Sequence, residues 1–181
     1  MAMTLKKQLA DHEGLQHILD ALAANIAADN LDFANLAMIG ILQHGAPIAS
    51  YLAQQVGAAH RVQIPVSHLD ITLYRDDMIE SPEEPYSRQT EIPFPIKNRE
   101  IILVDDVLFT GRTVRAALAN LLAFGRPRLI KLAVAVDRGH RELPIRADYT
   151  GLKVDTTRNQ GVRVRLGVND TEKGIFLYEQ D

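Results

Sequence analysis

Residues 101–113, IILVDDVLFTGRT, constrain the fold more than any other stretch of the chain. Ile101, Ile102, Leu103 and Val104 form a continuous apolar run, which suits a strand covered on both faces, as in a parallel sheet between helices. Asp105 and Asp106 follow without a break, and two adjacent carboxylates are too costly to bury without partners. The strand therefore has to deliver them to the carboxyl edge of the sheet, where open α/β folds bind ligands. Thr110-Gly111-Arg112-Thr113 then opens a helix predicted over residues 112–124 and stopped by Gly125.

The same order of strand, turn and helix recurs elsewhere. An amphipathic helix is predicted over residues 13–28, where Leu15, Ile18, Leu19, Leu22 and Ile26 return at steps of three and four. Residues 36–42, LAMIGIL, predict a buried strand, followed by the turn Gln43-His44-Gly45 and a helix over 46–56 with Pro47 in its first turn. A second strand is expected within 62–74, a fourth over 129–136, and late strands over 162–166 and 175–178. Between them, residues 78–95 carry Pro82, Pro85, Pro93 and Pro95 among charges, the composition of a long functional loop or flap. The expected architecture is α/β: one parallel-sheet core with flanking helices.

Composition removes several classes. With 181 residues, 46% hydrophobic and 24% charged, the chain fits one globular domain. No apolar run approaches the ~18 residues of a membrane span, and the two lysines near the start precede no apolar signal region. Zero cysteines exclude disulfides and thiolate metal sites and are compatible with a cytoplasmic location. The net charge of −3 is unevenly spread. No Lys or Arg lies between Lys7 and Arg61, whereas residues 126–165 hold ten against four acids, a surplus suited to an anionic ligand or a nucleic acid.

The central motif joins two chemistries. Free backbone N–H groups at a helix start, a glycine without Cβ and threonine hydroxyls favour a phosphate dianion. Asp105 and Asp106 would repel that phosphate, so they must face hydrogen-bond donors or a bridging cation. Ribose hydroxyls are such donors. A ribose 5-phosphate satisfies both ends: Asp105 and Asp106 on the sugar, and Val107, Leu108, Phe109, Thr110, Gly111, Arg112 and Thr113 around the phosphate.

VDDVLFTGRT resembles the 5-phosphoribosyl-1-pyrophosphate signature of the type I phosphoribosyltransferases, which share a parallel-sheet core and a mobile hood. Three segments together, DITLYRDD (70–77), residues 102–116 and VDRGHRELPIRADY (136–149), resemble the pyrimidine operon regulator (PyrR) family over most of the chain. That resemblance implies a single phosphoribosyltransferase domain over residues 1–181 with a flap at roughly 74–98. It implies uracil phosphoribosyltransferase activity, with uracil, 5-phosphoribosyl-1-pyrophosphate and UMP as ligands, and Mg²⁺ held mainly by the substrate rather than by a metal site of the protein. It also implies UMP-dependent binding of pyrimidine-operon leader RNA, a homo-dimer or tetramer, and no membrane association. By the same resemblance, Tyr74 and Arg75 belong to the closing flap, and Val136, Asp137, Arg138 and Gly139 border the uracil pocket. His140, Arg141, Arg146 and Lys153 belong to a candidate RNA surface.

Two segments depart from the family pattern. The pyrophosphate loop, usually a basic turn, is here Gln43-His44-Gly45. Imidazole near its ordinary pKa of about 6.5 is mostly neutral at pH 7, so this turn predicts weaker pyrophosphate binding. The N-terminal helix, basic in RNA-binding relatives, reads Leu19-Asp20-Ala21-Leu22-Ala23-Ala24-Asn25 with Asp29 beyond it, and acids there oppose phosphate contacts. Both departures favour an alternative, a uridine-nucleotide sensor of weak catalytic power that regulates without RNA.

Overall fold

Side-chain alternation along the apolar strands assigns each helix its face of the sheet. In the computed structural model, which describes residues 3–71, 90, 92–166 and 172–180, the elements run in chain order. They are β1 (Met3–Ala10), α1 (His12–Ala27), β2 (Leu36–Ile41), α2 (Gly45–His60), β3 (Val66–Leu69) and β4 (Glu100–Leu108). After these come α3 (Arg112–Ala123), β5 (Leu129–Asp137), β6 (Tyr149–Lys153), β7 (Gln160–Arg165) and β8 (Gly174–Gln180). A five-stranded parallel sheet has the order β3-β2-β4-β5-β6. The chain's two ends add an antiparallel sheet of order β1-β8-β7.

Met38, Ile102, Val104, Ala133 and Ala135 point to one side, where α1 and α2 cover them with Leu15, Leu19, Leu22, Ile48 and Leu52. Their neighbours Ala37, Ile39, Ile101, Leu103, Leu132 and Val134 point to the other side and meet Val114, Ala117 and Leu121 of α3. Burial on both sides explains the unbroken apolar runs. The inner face of the small sheet, Val162, Val164 and Ile175, joins the first of these cores. It is thereby fixed against the larger sheet through apolar contacts.

The helices and parallel strands fall within a few residues of the sequence expectation, but three features differ. β4 continues through both aspartates to Leu108 instead of ending at Val104. β1 and β6 were not anticipated. β1 is exposed on most of its length, so its sequence lacks the apolar alternation that marks a half-buried strand. β6 carries Gly151, whose added Cβ would meet the Ala135 carbonyl oxygen at 2.7 Å, so a residue that usually weakens a strand is here required by its neighbour. The expected flap lies mostly outside the described residues, as do Tyr74 and Arg75.

Two ion pairs lie at the amino ends of the central strands. Fully buried Glu100 is paired with Arg128 and accepts the Asp32 backbone N–H at 2.9 Å. Asp29, beyond α1, receives Lys131 and the Tyr149 hydroxyl, the latter at 2.5 Å. The hydrogen bond from Lys131, then that from Tyr149, brings the Asp29 carboxyl down to about 2 from its ordinary 3.8. A carboxyl whose folded pKa is depressed stabilises the fold above its unfolded value and loses that contribution as pH falls through the folded one. Urea-unfolding midpoints should therefore fall between pH 3.8 and about 2, and Asp29→Asn should remove that part of the slope while lowering the midpoint at neutral pH.

Candidate active site

The chain leaves β2 for β3 on one side of the sheet and later runs β4-β5-β6 on the other. The crevice at the carboxyl ends of β2 and β4 is thus the topological switch point, where such sheets take ligands. Both predicted loops open there. Gly45, the first residue of α2, packs so tightly on β4 that an added Cβ would lie 2.4 Å from the Val104 carbonyl oxygen. A side chain at this position would force the turn away from the strand. With glycine there, Gln43 and His44 stand exposed beside the aspartates.

Asp105 and Asp106 are successive residues of β4, so their side chains diverge. Asp105 is only 5% exposed and lines a cavity of about 270 Å³ together with residues 107–114 and Glu142. Asp106 is half-buried and lines a second cavity of about 470 Å³ with His44, Arg138 and β7. Val107 and Phe109 border both. Every residue of the predicted phosphate cradle, Val107 to Thr113, lines the first cavity.

The cradle is held from behind. The Arg138 backbone N–H donates to the Leu108 carbonyl at 3.1 Å, and the Glu142 and Leu143 N–H groups donate to Thr110 at 3.0 and 3.3 Å. The Arg141 guanidinium donates to the carbonyls of Phe109 at 2.6 Å, Gly139 at 3.0 Å and Ile145 at 3.2 Å, and is ion-paired with Asp137. In a planar trans peptide, C=O and N–H point in opposite directions. With the carbonyls of Leu108, Phe109 and Thr110 turned toward residues 138–143, the N–H groups of Phe109, Thr110 and Gly111 are directed the other way. Gly111 has φ +92°, a conformation that suits glycine, and an added Cβ would sit 3.3 Å from Ile145. α3 starts at the next residue, adding the positive end of its dipole. Arg112 meets Glu142 at 2.8 Å, offsetting the one carboxylate at the rim of the cradle.

The residues expected around the base separate. Arg138 reaches the second cavity. It is 7% exposed, lies 3.8 Å over the Phe109 ring and donates to the Thr156 hydroxyl and the Thr157 carbonyl. Burial lowers its pKa from the ordinary arginine value. Val136 is buried in the core, and Asp137 accepts the Gly139 N–H at 3.0 Å besides holding Arg141. His140 has φ +60° and bonds the Thr156 carbonyl through Nε2 at 2.6 Å. Arg146 and Lys153 are exposed. Two cavity residues were not singled out from sequence: Arg163 and Arg165 of β7. Their signal was the alternation Val162-Arg163-Val164-Arg165, which puts both arginines on one face of a strand.

Residues 6–171 match the phosphoribosyl transferase domain family. "Bifunctional protein PyrR" of Pelotomaculum thermopropionicum is 45% identical over 174 residues, covering 96% of each chain. The protein of the same name from Thermus aquaticus is 45% identical over 179 residues, covering 99% of both. The chain belongs to the PyrR family of phosphoribosyltransferase-domain proteins.

Solved structures agree on the fold. The hypoxanthine phosphoribosyltransferase of Trypanosoma cruzi superimposes with a TM-score of 0.71 at 18% identity, covering 98% of both chains. The HGPRT-ase from Leishmania tarentolae in complex with GMP gives 0.70 at 19%, covering 97% of both. At this PyrR-family site, two substitutions separate binding from scaffold. Gly111→Ala should weaken ribose 5-phosphate binding by roughly tenfold in calorimetry, since a left-handed non-glycine residue costs about 1–2 kcal/mol. Arg141→Gln should cost about 2 kcal/mol in chemical denaturation by freeing carbonyls that need donors.

Proposed function

We propose that this chain transfers the phosphoribosyl group of 5-phosphoribosyl-1-pyrophosphate to uracil, forming UMP and pyrophosphate, and regulates pyrimidine operon expression in response to UMP. The observation that carries the reading is the pair of cavities on either side of Asp105-Asp106, one a phosphate cradle and the other rich in arginine. A ribose spanning the two aspartates puts its 5-phosphate in the first cavity and its C1 substituent in the second.

In that pose the C1–oxygen bond to pyrophosphate breaks with its electron pair leaving on the pyrophosphate. Uracil N1 bonds to C1 and gives up its proton to the departing pyrophosphate. Positive charge develops on the ribose ring, so the aspartates beside it act electrostatically and by fixing the hydroxyls. Arg138, stacked on Phe109, borders the base. Asp105 and Asp106 are hard oxygen donors of the type Mg²⁺ accepts. A bound Mg²⁺ would supply charge neutralisation to the leaving pyrophosphate. Tyr74 and Arg75, assigned to the flap by the family resemblance, lie outside the described residues.

Regulation has two readings. Arg146 and Lys153 are exposed on the candidate RNA surface, and His140 stands near them in sequence. Arg141 is instead engaged with Asp137 and backbone carbonyls, so its contribution there is to shape the loop. On α1, Asp20 accepts the Tyr51 hydroxyl and the Gln16 amide, placing an acid on the helix that the family resemblance implies to be basic in RNA-binding members. That acid favours a UMP sensor acting through another partner. A homo-dimer or tetramer in the cytoplasm completes the proposal. Among the described residues no helix is long and apolar enough to cross a membrane.

Radiolabelled uracil should be converted to UMP in a Mg²⁺-dependent manner, and Asp105→Asn with Asp106→Asn should lower kcat/KM by about 100-fold or more. No product at saturating substrates would overturn the enzymatic reading. In gel-shift titrations with pyrimidine-operon leader RNA, retention that depends on UMP would establish RNA control. Tight UMP binding without retention would establish the sensor.

A further inference from the structure

The weak point of the site, judged from the chain alone, is the turn Gln43-His44-Gly45, which brings no permanent positive charge to a pyrophosphate. The cations that surround it in space come from elsewhere. Ten Lys and Arg occupy residues 126–165, and the fold sorts them by their partners. Arg128, Lys131 and Arg141 are ion-paired with Glu100, Asp29 and Asp137. Arg126, Arg146, Lys153 and Arg158 are exposed. The remaining three, Arg138, Arg163 and Arg165, line the second cavity opposite His44 and Asp106.

None of these three meets a carboxylate among the described residues. Arg138 is held by Thr156, Thr157 and the Phe109 ring. Arg165 donates to the Tyr178 hydroxyl at 2.5 Å and lies 4.7 Å over Phe176. Arg163 lies 4.9 Å over the Tyr178 ring. Aromatic faces hold a guanidinium in place without neutralising it. Three permanent cations around one cavity, with Asp106 the single carboxylate on its wall among the described residues, leave a positive excess that an anionic ligand would satisfy. Phe176 and Tyr178 are nearly buried and hold Arg165 between a hydrogen bond and two rings, so little of its freedom remains to be lost on binding, while exposed Arg163 rests on the Tyr178 ring.

We propose that Arg163 and Arg165 are pyrophosphate-binding residues of this protein, supplying from β7 the charge that its Gln43-His44-Gly45 turn lacks. The proposal rests on the phosphoribosyl-transfer reading and amends the expectation of weak pyrophosphate binding, which considered the turn alone. Arginine suits the task because its planar fork donates two parallel hydrogen bonds to phosphate oxygens and stays charged at any working pH. His44 does neither. Arg163 and Arg165 are two apart on one strand, so both face the same ligand.

The test compares 5-phosphoribosyl-1-pyrophosphate with UMP, which shares the ribose 5-phosphate but has no pyrophosphate. Calorimetric Kd values and steady-state KM are measured on the full chain, on Arg163→Gln, on Arg165→Gln, on both together, and on the pair combined with His44→Arg. The double variant should bind 5-phosphoribosyl-1-pyrophosphate about tenfold or more weakly, as expected for lost charge-assisted hydrogen bonds. UMP affinity should change less than about twofold on the same scale. His44→Arg should recover a substantial part of the loss in the double variant, because it returns a cation to the same cavity.

Equal losses for both ligands would mean that the arginines merely hold the small sheet in place, and would overturn the proposal. Unchanged 5-phosphoribosyl-1-pyrophosphate affinity, or no recovery by His44→Arg, would overturn it as well. Arg163→Gln alone guards against misfolding, since Arg163 is exposed and does not support Tyr178 by a hydrogen bond. Failure of the enzymatic reading looks different. It would give arginine-dependent binding of 5-phosphoribosyl-1-pyrophosphate with no conversion of uracil.

Discussion

The capture of the Leu108, Phe109 and Thr110 carbonyls by residues 138–143 is the constraint on which the site depends. A phosphate can be bound by backbone only if several N–H groups converge, and a loop left to itself has no reason to converge them. Here the segment after β5 supplies donors to each of these carbonyls and so turns the opposite edges of the peptides toward the cavity. Arg141 is central to that arrangement, with Asp137 balancing its charge. A residue that composition alone would assign to a basic surface thus works as part of the scaffold.

Charge is distributed in the molecule by a simple division. At the amino ends of the parallel strands, cations and carboxylates meet: Arg128 with Glu100, Lys131 with Asp29. Around the second cavity at the carboxyl ends, arginines instead meet aromatic rings, hydroxyls and carbonyls. Paired charges contribute to holding the fold, and arginines that meet no carboxylate among the described residues leave a charge that an anion could satisfy. The two sheets cooperate in this. The apolar face of β7 packs on the common core, so its arginines are carried to the crevice by hydrophobic burial rather than by any attraction between charges.

Much of the parallel core was legible in the sequence because its strands are buried on both sides. Residues 36–41 and 101–104 are unbroken apolar runs, 129–136 is apolar apart from Lys131, and the helices between them have regular apolar spacing. β1 and β6 were not legible. β1 is mostly exposed and has no buried face to mark it. β6 depends on Gly151 fitting beneath a neighbouring strand, a requirement set by a residue sixteen positions away. Asp105 and Asp106 could be found as a pair, but a strand ending at Val104 was expected. Continuation of the ladder with β5 through Val107 and Leu108 is what sends the two carboxylates into separate cavities.

The sequence by itself determined the make-up of the candidate ribose-phosphate site, since strand, acid pair, glycine turn and helix are contiguous and interact locally. It also determined that the turn after β2 carries no permanent charge. The tertiary structure alone decided which of the many cations in residues 126–165 stand beside that turn. Several cations of that segment have partners far away in the chain, as with Arg138 and Thr156 at 18 or Lys131 and Asp29 at 102. Pairing over such distances is fixed by how sheets and helices pack, and local patterning carries no record of it.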